Sequence, residues 1–185
     1  EQGFNAASTR LIAERSGVNK ALIHYHFSNK QALFEAVIAQ YYRRLQAALA
    51  PRLTGEGSGR ERFFGLIDGY VDFLAENPAF CRLFQREVMN ERHMPLILEN
   101  MVPLFQAGEQ LLHQIYPKSR SGDLAARDLL VSFFAMVVST FTYSPVIAGV
   151  TSEDPLSPKN LEQRKAHIHK MAELVLGELE SNGST

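Results

Sequence analysis

The stretch STRLIAERSGVNKALIHYHFSNK, Ser8 to Lys30, spells two short helices joined by a glycine turn. Leu11, Ile12 and Ala13 lie on the first, Gly17 permits a tight turn, and Val18, Leu22 and Ile23 return at helical spacing on the second. Between these apolar positions the second helix leaves Asn19, Lys20, Ala21 and His24 outward, a mixture of small and hydrogen-bonding side chains that a DNA major groove accepts. The pattern implies a DNA-reading unit. Asn19, Ala21, Leu22 and His24 are its candidate base contacts. Lys20, Tyr25, His26 and Lys30, with Ser8 and Thr9 at the start of the preceding helix, are its candidate phosphate contacts.

Charge is divided in the same sense. Residues 1–52 hold seven Lys/Arg against three Asp/Glu, and residues 53–185 hold twelve against seventeen. A basic first segment suits phosphate, and an acidic remainder is repelled by it, so contact with DNA is expected within the first fifty residues. The single cysteine, Cys81, excludes an internal disulfide and argues against a cysteine metal site. It reads as a small buried side chain rather than a sensor, because only Arg82 stands beside it to stabilise a thiolate.

The 3.6-residue period continues through the chain, with no convincing strand, so the expected class is all-α. Gln31 to Leu49 forms a long amphipathic helix through Leu33, Phe34, Val37, Ile38, Tyr41 and Leu45, expected to end at Pro51. Thr54 to Gly59 is a flexible connector that matches no phosphate-loop spacing. Arg60–Glu76 is the next helix. Asn77-Pro78 caps and starts another through Phe80, Leu83, Phe84 and Val88. Pro95 and Pro103 punctuate a segment reaching Tyr116, which is expected to kink at Pro103. Residues 117–123 form a loop, and Leu124–Ala148 reads as one strongly apolar helix. Ser157-Pro158 opens the last helix, through Leu161, Ile168, Met171, Val175 and Leu179. The domains are therefore set at 1–50, helix-turn-helix with connecting helix, and 51–185, helical ligand-binding and dimerisation domain. No apolar run is long enough to span a membrane, and the cytoplasm is the expected compartment.

Histidines two apart on a helix point in different directions, so neither His24/His26 nor His167/His169 reads as a metal pair. No catalytic motif of the GxSxG or HExxH kind occurs, no cofactor is implied, and an enzyme is not expected.

With those residues in hand, the chain resembles the TetR family of bacterial transcriptional repressors. Gly3-Phe4-Asn5-Ala6-Ala7-Ser8-Thr9 is similar to the family's segment between its first two helices. Ile12-Ala13, Ser16-Gly17-Val18, Asn19-Lys20 and Tyr25-His26-Phe27, followed by Ser28 to Phe34, match its helix-turn core and the hand-over to the connecting helix. Ala7 stands where a capping threonine is common, so Ser8 or Thr9 must take that role. Leu11, Ala21, Leu22 and His24 also depart from the usual residues and bear on which bases are read, Leu22 being able to meet a thymine methyl. The family's first helix is nearly absent, and further sequence is expected ahead of Glu1. The resemblance implies a homodimer in which the last two helices pair, a palindromic double-stranded DNA operator, and a small-molecule effector that releases it.

Nine of the twelve phenylalanines fall between Phe63 and Phe141, among Met89, Met101 and Met136. Most are core. Ile67, Tyr70, Phe84, Met101, Phe105, Phe134, Val137 and Phe141 are the candidate wall of a pocket enclosed by helices 60–76, 78–91, 95–116 and 124–148, for a largely apolar ligand. The alternatives are a constitutive DNA-binding dimer without ligand, and a helical carrier or enzyme that keeps a DNA-like hairpin.

Overall fold

The computed structural model describes residues 4, 7–90 and 93–181, which form helices without a strand. Gly3, Asn5 and Ala6 of the resembling segment lie outside the described residues. Contacts divide the chain into two compact units, one up to Arg43 and one from Arg44.

In the first unit α1 (Thr9–Ser16) is capped by Ser8, whose Oγ accepts from Leu11 N at 3.1 Å. Ser8 thus fills the role left open by Ala7. Gly17 closes α1 at φ 70°, a left-handed conformation in which a β-carbon would be strained. Asn19 caps α2 (Lys20–His26), its Oδ1 accepting from Ala21 N at 2.8 Å. Ala13 and Ile23 are buried where these helices pack on one another.

The third helix, α3 (Lys30–Thr54), carries the chain from one unit into the next and does not end at Pro51. Proline withholds one donor, the one Ala47 O would have used, while the turn goes on: Gly55 N donates to Pro51 O at 2.8 Å, and Thr54 Oγ1 to Ala50 O at 3.1 Å.

The second unit holds α4 (Gly59–Glu76), α5 (Pro78–Asn90), α6 (Met94–Ile115), a short 3₁₀ turn at Pro117–Arg120 where a loop was expected, α7 (Ala126–Thr142), α8 (Ser144–Thr151) and α9 (Pro158–Ser181). A reciprocal capping box starts α4, with Ser58 Oγ accepting from Glu61 N and the Glu61 carboxylate accepting from Ser58 N at 2.7 Å. Asn77 serves both helices. Its Nδ2 donates to Phe73 O at 2.8 Å at the end of α4, while its main-chain carbonyl accepts from Phe80 N at 2.9 Å at the start of α5. Leu112, Ile168, Leu176, Phe63 and Val137 are almost wholly buried, where α4 packs on α6, α7 and α9.

Two expectations are corrected in this unit. Leu124–Ala148 is not one helix: α7 and α8 meet at Tyr143 with a bend of 74°. Pro145 cannot donate to Phe141 O, and Ser144 Oγ takes that acceptor at 3.2 Å. Among the described residues no single helix is long and apolar enough to cross a membrane, and the pair α7–α8 passes that test only when the bend is ignored. The inward stripe of α9 is also shifted. Leu161, Ile168, Ala172 and Leu176 are its buried residues, Val175 and Leu179 are half-buried, and Met171 is exposed.

Candidate nucleic-acid interface and apolar cavity

On α2 the buried side is marked by Ile23, so the opposite side, about 180° round the helix, presents Ala21 and Tyr25, with Leu22 and His24 flanking them. All four are exposed, Leu22 at 52% and Tyr25 at 83%. Lys20 and His26 lie nearer the edges of α2 and are exposed too. Tyr25 meets the His26 ring edge-on at 5.1 Å, which holds both at the C-terminal end of the helix. Ser8 is exposed and Thr9 half-buried at the N-terminus of α1.

Lys30, expected as a phosphate contact, also makes contacts within its own unit. Its Nζ donates to Phe4 O at 2.8 Å and sits 4.3 Å from the centre of the Phe4 ring, while that ring packs edge-on against Phe34 at 4.9 Å. Lys30 therefore ties residue 4 to the start of α3. Sequence spacing carried no sign of this, because the partner is a main-chain carbonyl twenty-six residues away.

The second unit holds an apolar, partly open cavity of ≈ 110 Å³, far larger than one water molecule. Four helices line it: α3 through Leu45, Leu49 and Leu53, α4 through Phe63, Leu66, Ile67 and Tyr70, α6 through Met101, Leu104, Phe105 and Gly108, and α7 through Leu130, Phe133, Phe134 and Val137. Not one lining side chain is ionisable near neutral pH. Tyr70 stacks on Phe134 at 5.9 Å, and Phe105 meets Phe134 edge-on at 5.4 Å, so one ring orders both sides of the wall.

Of the residues expected at the wall, Ile67, Tyr70, Met101, Phe105, Phe134 and Val137 border the cavity, and Phe84 and Phe141 do not. Phe84 packs behind it, edge-on to Phe134 at 6.4 Å. Phe141 is buried in the last turn of α7, one turn beyond Val137. Helix α5 supplies no lining residue, and α3 takes its place. The signal existed in the sequence, since Leu45, Leu49 and Leu53 recur at four-residue spacing, but the last of them lay beyond Pro51.

Other candidate chemistry resolves into packing. Burial pushes the Cys81 thiol up to about 11, so it is held as a thiol at neutral pH. His169 Nε2 lies 2.8 Å from Asp68 Oδ1 and its ring 4.7 Å from Phe64, joining α9 to α4. His93 and Glu87 form a buried pair between α6 and α5. Among the described residues no cluster of three His, Cys, Asp or Glu side chains could hold a metal.

A capped helix, a glycine turn at positive φ and a second short helix with an exposed outer face, followed by an all-helical unit, define the helix-turn-helix class of two-unit proteins. Residues 1–37 match the family described as bacterial regulatory proteins, tetR family. It is 28% identical over 92 residues to the HTH-type transcriptional activator FasR of Mycolicibacterium smegmatis, covering 49% of this chain and 42% of that protein. It is 33% identical over 95 residues to the HTH-type transcriptional regulator BetI of Cronobacter sakazakii, covering 50% and 47%. The chain thus aligns with about half the length of these curated relatives. Two solved structures share the fold: a candidate fatty acid metabolism regulator of Clostridium perfringens (TM-score 0.72, 21% identity, covering 91% of this chain and 88% of that one) and a TetR/AcrR-family regulator of Thermobifida fusca (TM-score 0.67, 18% identity, covering 100% and 90%).

Proposed function

We propose that the protein is a homodimeric transcriptional regulator that holds a palindromic operator with residues 8–30 of each subunit and releases it when a small, largely apolar molecule fills the cavity of the second unit. One observation carries the reading: α3 is a single 25-residue helix that begins at Lys30, directly after the helix-turn-helix, and ends with Leu45, Leu49 and Leu53 on the cavity wall. A ligand that moves those leucines moves the root of the DNA-reading unit. Two recognition helices must stay about 34–36 Å apart, one turn of DNA, and a small rotation of α3 spoils that spacing. A ligand that prefers the splayed state a hundredfold shifts the equilibrium by roughly 2.7 kcal/mol, enough to empty most operators.

The chemistry of the wall selects the effector class. With no charge and few heteroatoms around it, a polyanion would lose its hydration uncompensated, whereas an aliphatic or aromatic compound with one polar group would not. The cavity also weighs against a constitutive DNA binder, whose second unit has no reason to leave space.

The test is selection of DNA from a random pool by the purified protein, followed by release of the selected operator by a panel of apolar compounds. Val137→Phe and Leu104→Phe should each abolish release while leaving operator affinity within about threefold. If compounds still release the operator from both variants, the cavity is not the effector site. Enrichment of no sequence at all would reject the DNA reading and return attention to a carrier.

A further inference from the structure

Base recognition in the major groove ordinarily rests on bidentate hydrogen bonds, Arg or Lys to guanine, Asn or Gln to adenine, Glu or Asp to cytosine. The second helix offers almost none of them. Lys20 to His26 contains no Arg, Gln, Asn, Glu or Asp, and Lys20 lies nearer its edge than its outer face. Asn19 precedes it, but its Oδ1 is already taken by Ala21 N at 2.8 Å, so its amide cannot both accept from and donate to an adenine edge without giving up the cap. Opposite the buried Ile23 the helix instead presents Ala21 and Tyr25, with Leu22 and His24 flanking them, all exposed, Leu22 at 52% and Tyr25 at 83%, and of these His24 alone carries a ring nitrogen toward the groove.

Leu22 keeps 52% of its surface uncovered in its own unit, so much of this large aliphatic side chain is available to a partner. In the major groove the one apolar feature that separates base pairs is the C5 methyl of thymine. Resting on the DNA-binding reading above, we propose that Leu22, with Ala21 and Tyr25 beside it, specifies thymine in each half-site through contact with that methyl. Lys20 and His26 at the helix edges supply the flanking positive and donor groups that hold the helix against phosphate.

The methyl can be removed without touching any hydrogen bond, by replacing thymine with uracil. The experiment takes the operator selected by the full chain and substitutes deoxyuridine for each thymine in turn, symmetrically in both half-sites. At one or two positions per half-site the dissociation constant should rise about fourfold per methyl lost, the factor expected for uncovering one buried methyl-sized group. In Leu22→Ala the same positions should become indifferent to uracil, with wild-type helix content. Equal affinity for every uracil operator, or a uracil penalty that persists in Leu22→Ala, overturns the assignment while leaving DNA binding intact. Selected half-sites that contain no thymine overturn it as well. A pool with nothing enriched removes the DNA-binding reading and this one together.

Discussion

Asn19 has one amide and two claims on it, and the claims can be separated. Its oxygen caps α2 through Ala21 N, and the DNA-binding reading gives its nitrogen a base or phosphate to meet. Aspartate caps as well as asparagine but donates nothing and repels phosphate, so Asn19→Asp should melt with the wild type yet bind operator at least about tenfold more weakly. Asn19→Ala should lose about 1 kcal/mol of stability with the cap. Circular-dichroism melting together with fluorescence anisotropy on a labelled operator distinguishes the two losses, and equal DNA affinity in Asn19→Asp would confine Asn19 to capping. Lys30 calls for a different expectation. Because its ammonium holds Phe4 O and covers the Phe4 ring, Lys30→Ala should lower the melting temperature, not only the salt dependence of DNA binding. That partner could not be read from the sequence, where a lysine after a recognition helix carries only its charge.

At the scale of elements, the positions of the helices were legible and the effect of each proline was not. Pro51, Pro103 and Pro145 each remove a single donor, yet α3 and α6 run on while α7 breaks from α8. Packing accounts for the difference. Leu45, Leu49 and Leu53 hold α3 on both sides of Pro51, and Ile97, Gly108, Leu111 and Leu112 hold α6 on both sides of Pro103. Helix α8 buries no residue fully, so packing does little to hold it in line with α7. The cavity follows from the same cause, because a stripe that looked finished at Leu49 reaches Leu53 and replaces α5 at the wall. Gly108 offers a test of that geometry. A β-carbon there would stand 3.1 Å from Leu130 Cδ2, and both residues border the cavity. Gly108→Ala should gain up to about 1 kcal/mol of helix propensity, and part of that should be lost in displacing Leu130. Its melting temperature should therefore change little, while effector affinity should fall several-fold; unchanged effector binding would place the ligand elsewhere. The α4 capping box is pH-dependent in a definite sense. The Ser58 N–H and hydroxyl hold the Glu61 carboxyl below its ordinary 4.5, so this contribution is complete above that value and fades as acid brings the pH through the lowered one. Glu61→Gln keeps a capping group without a titration, and its melting temperature should approach that of the wild type as the pH falls below 4.5.

For the whole molecule the proposed dimer makes a definite demand on the exposed surface. Helices α7 and α9 pack on one another and leave Val131 56%, Leu174 60% and Met171 38% exposed, and α8 adds Val146 at 63% and Val150 at 81%. So much aliphatic surface on the last three helices of a chain fits a symmetric interface, in which the same patch faces itself across a two-fold axis. In such an interface symmetry would double the penalty of any charge placed there, because each subunit would bring its own copy. Leu174→Glu should therefore convert a dimer into a monomer, whereas Glu162→Ala, at an exposed α9 position outside the apolar patch, should not. The monomer should keep its helix content, since Leu174 is uncovered within its own chain and Ala172 and Leu176 hold α9 in place. It should nevertheless lose operator binding by a hundredfold or more, because one reading unit supplies only half of the phosphate and base contacts and the second half-site no longer benefits from a tethered partner. Sedimentation equilibrium at micromolar concentration, run beside operator titrations, checks both parts. A wild-type protein that sediments as a monomer yet binds a palindrome tightly would move dimerisation from the free protein onto the DNA.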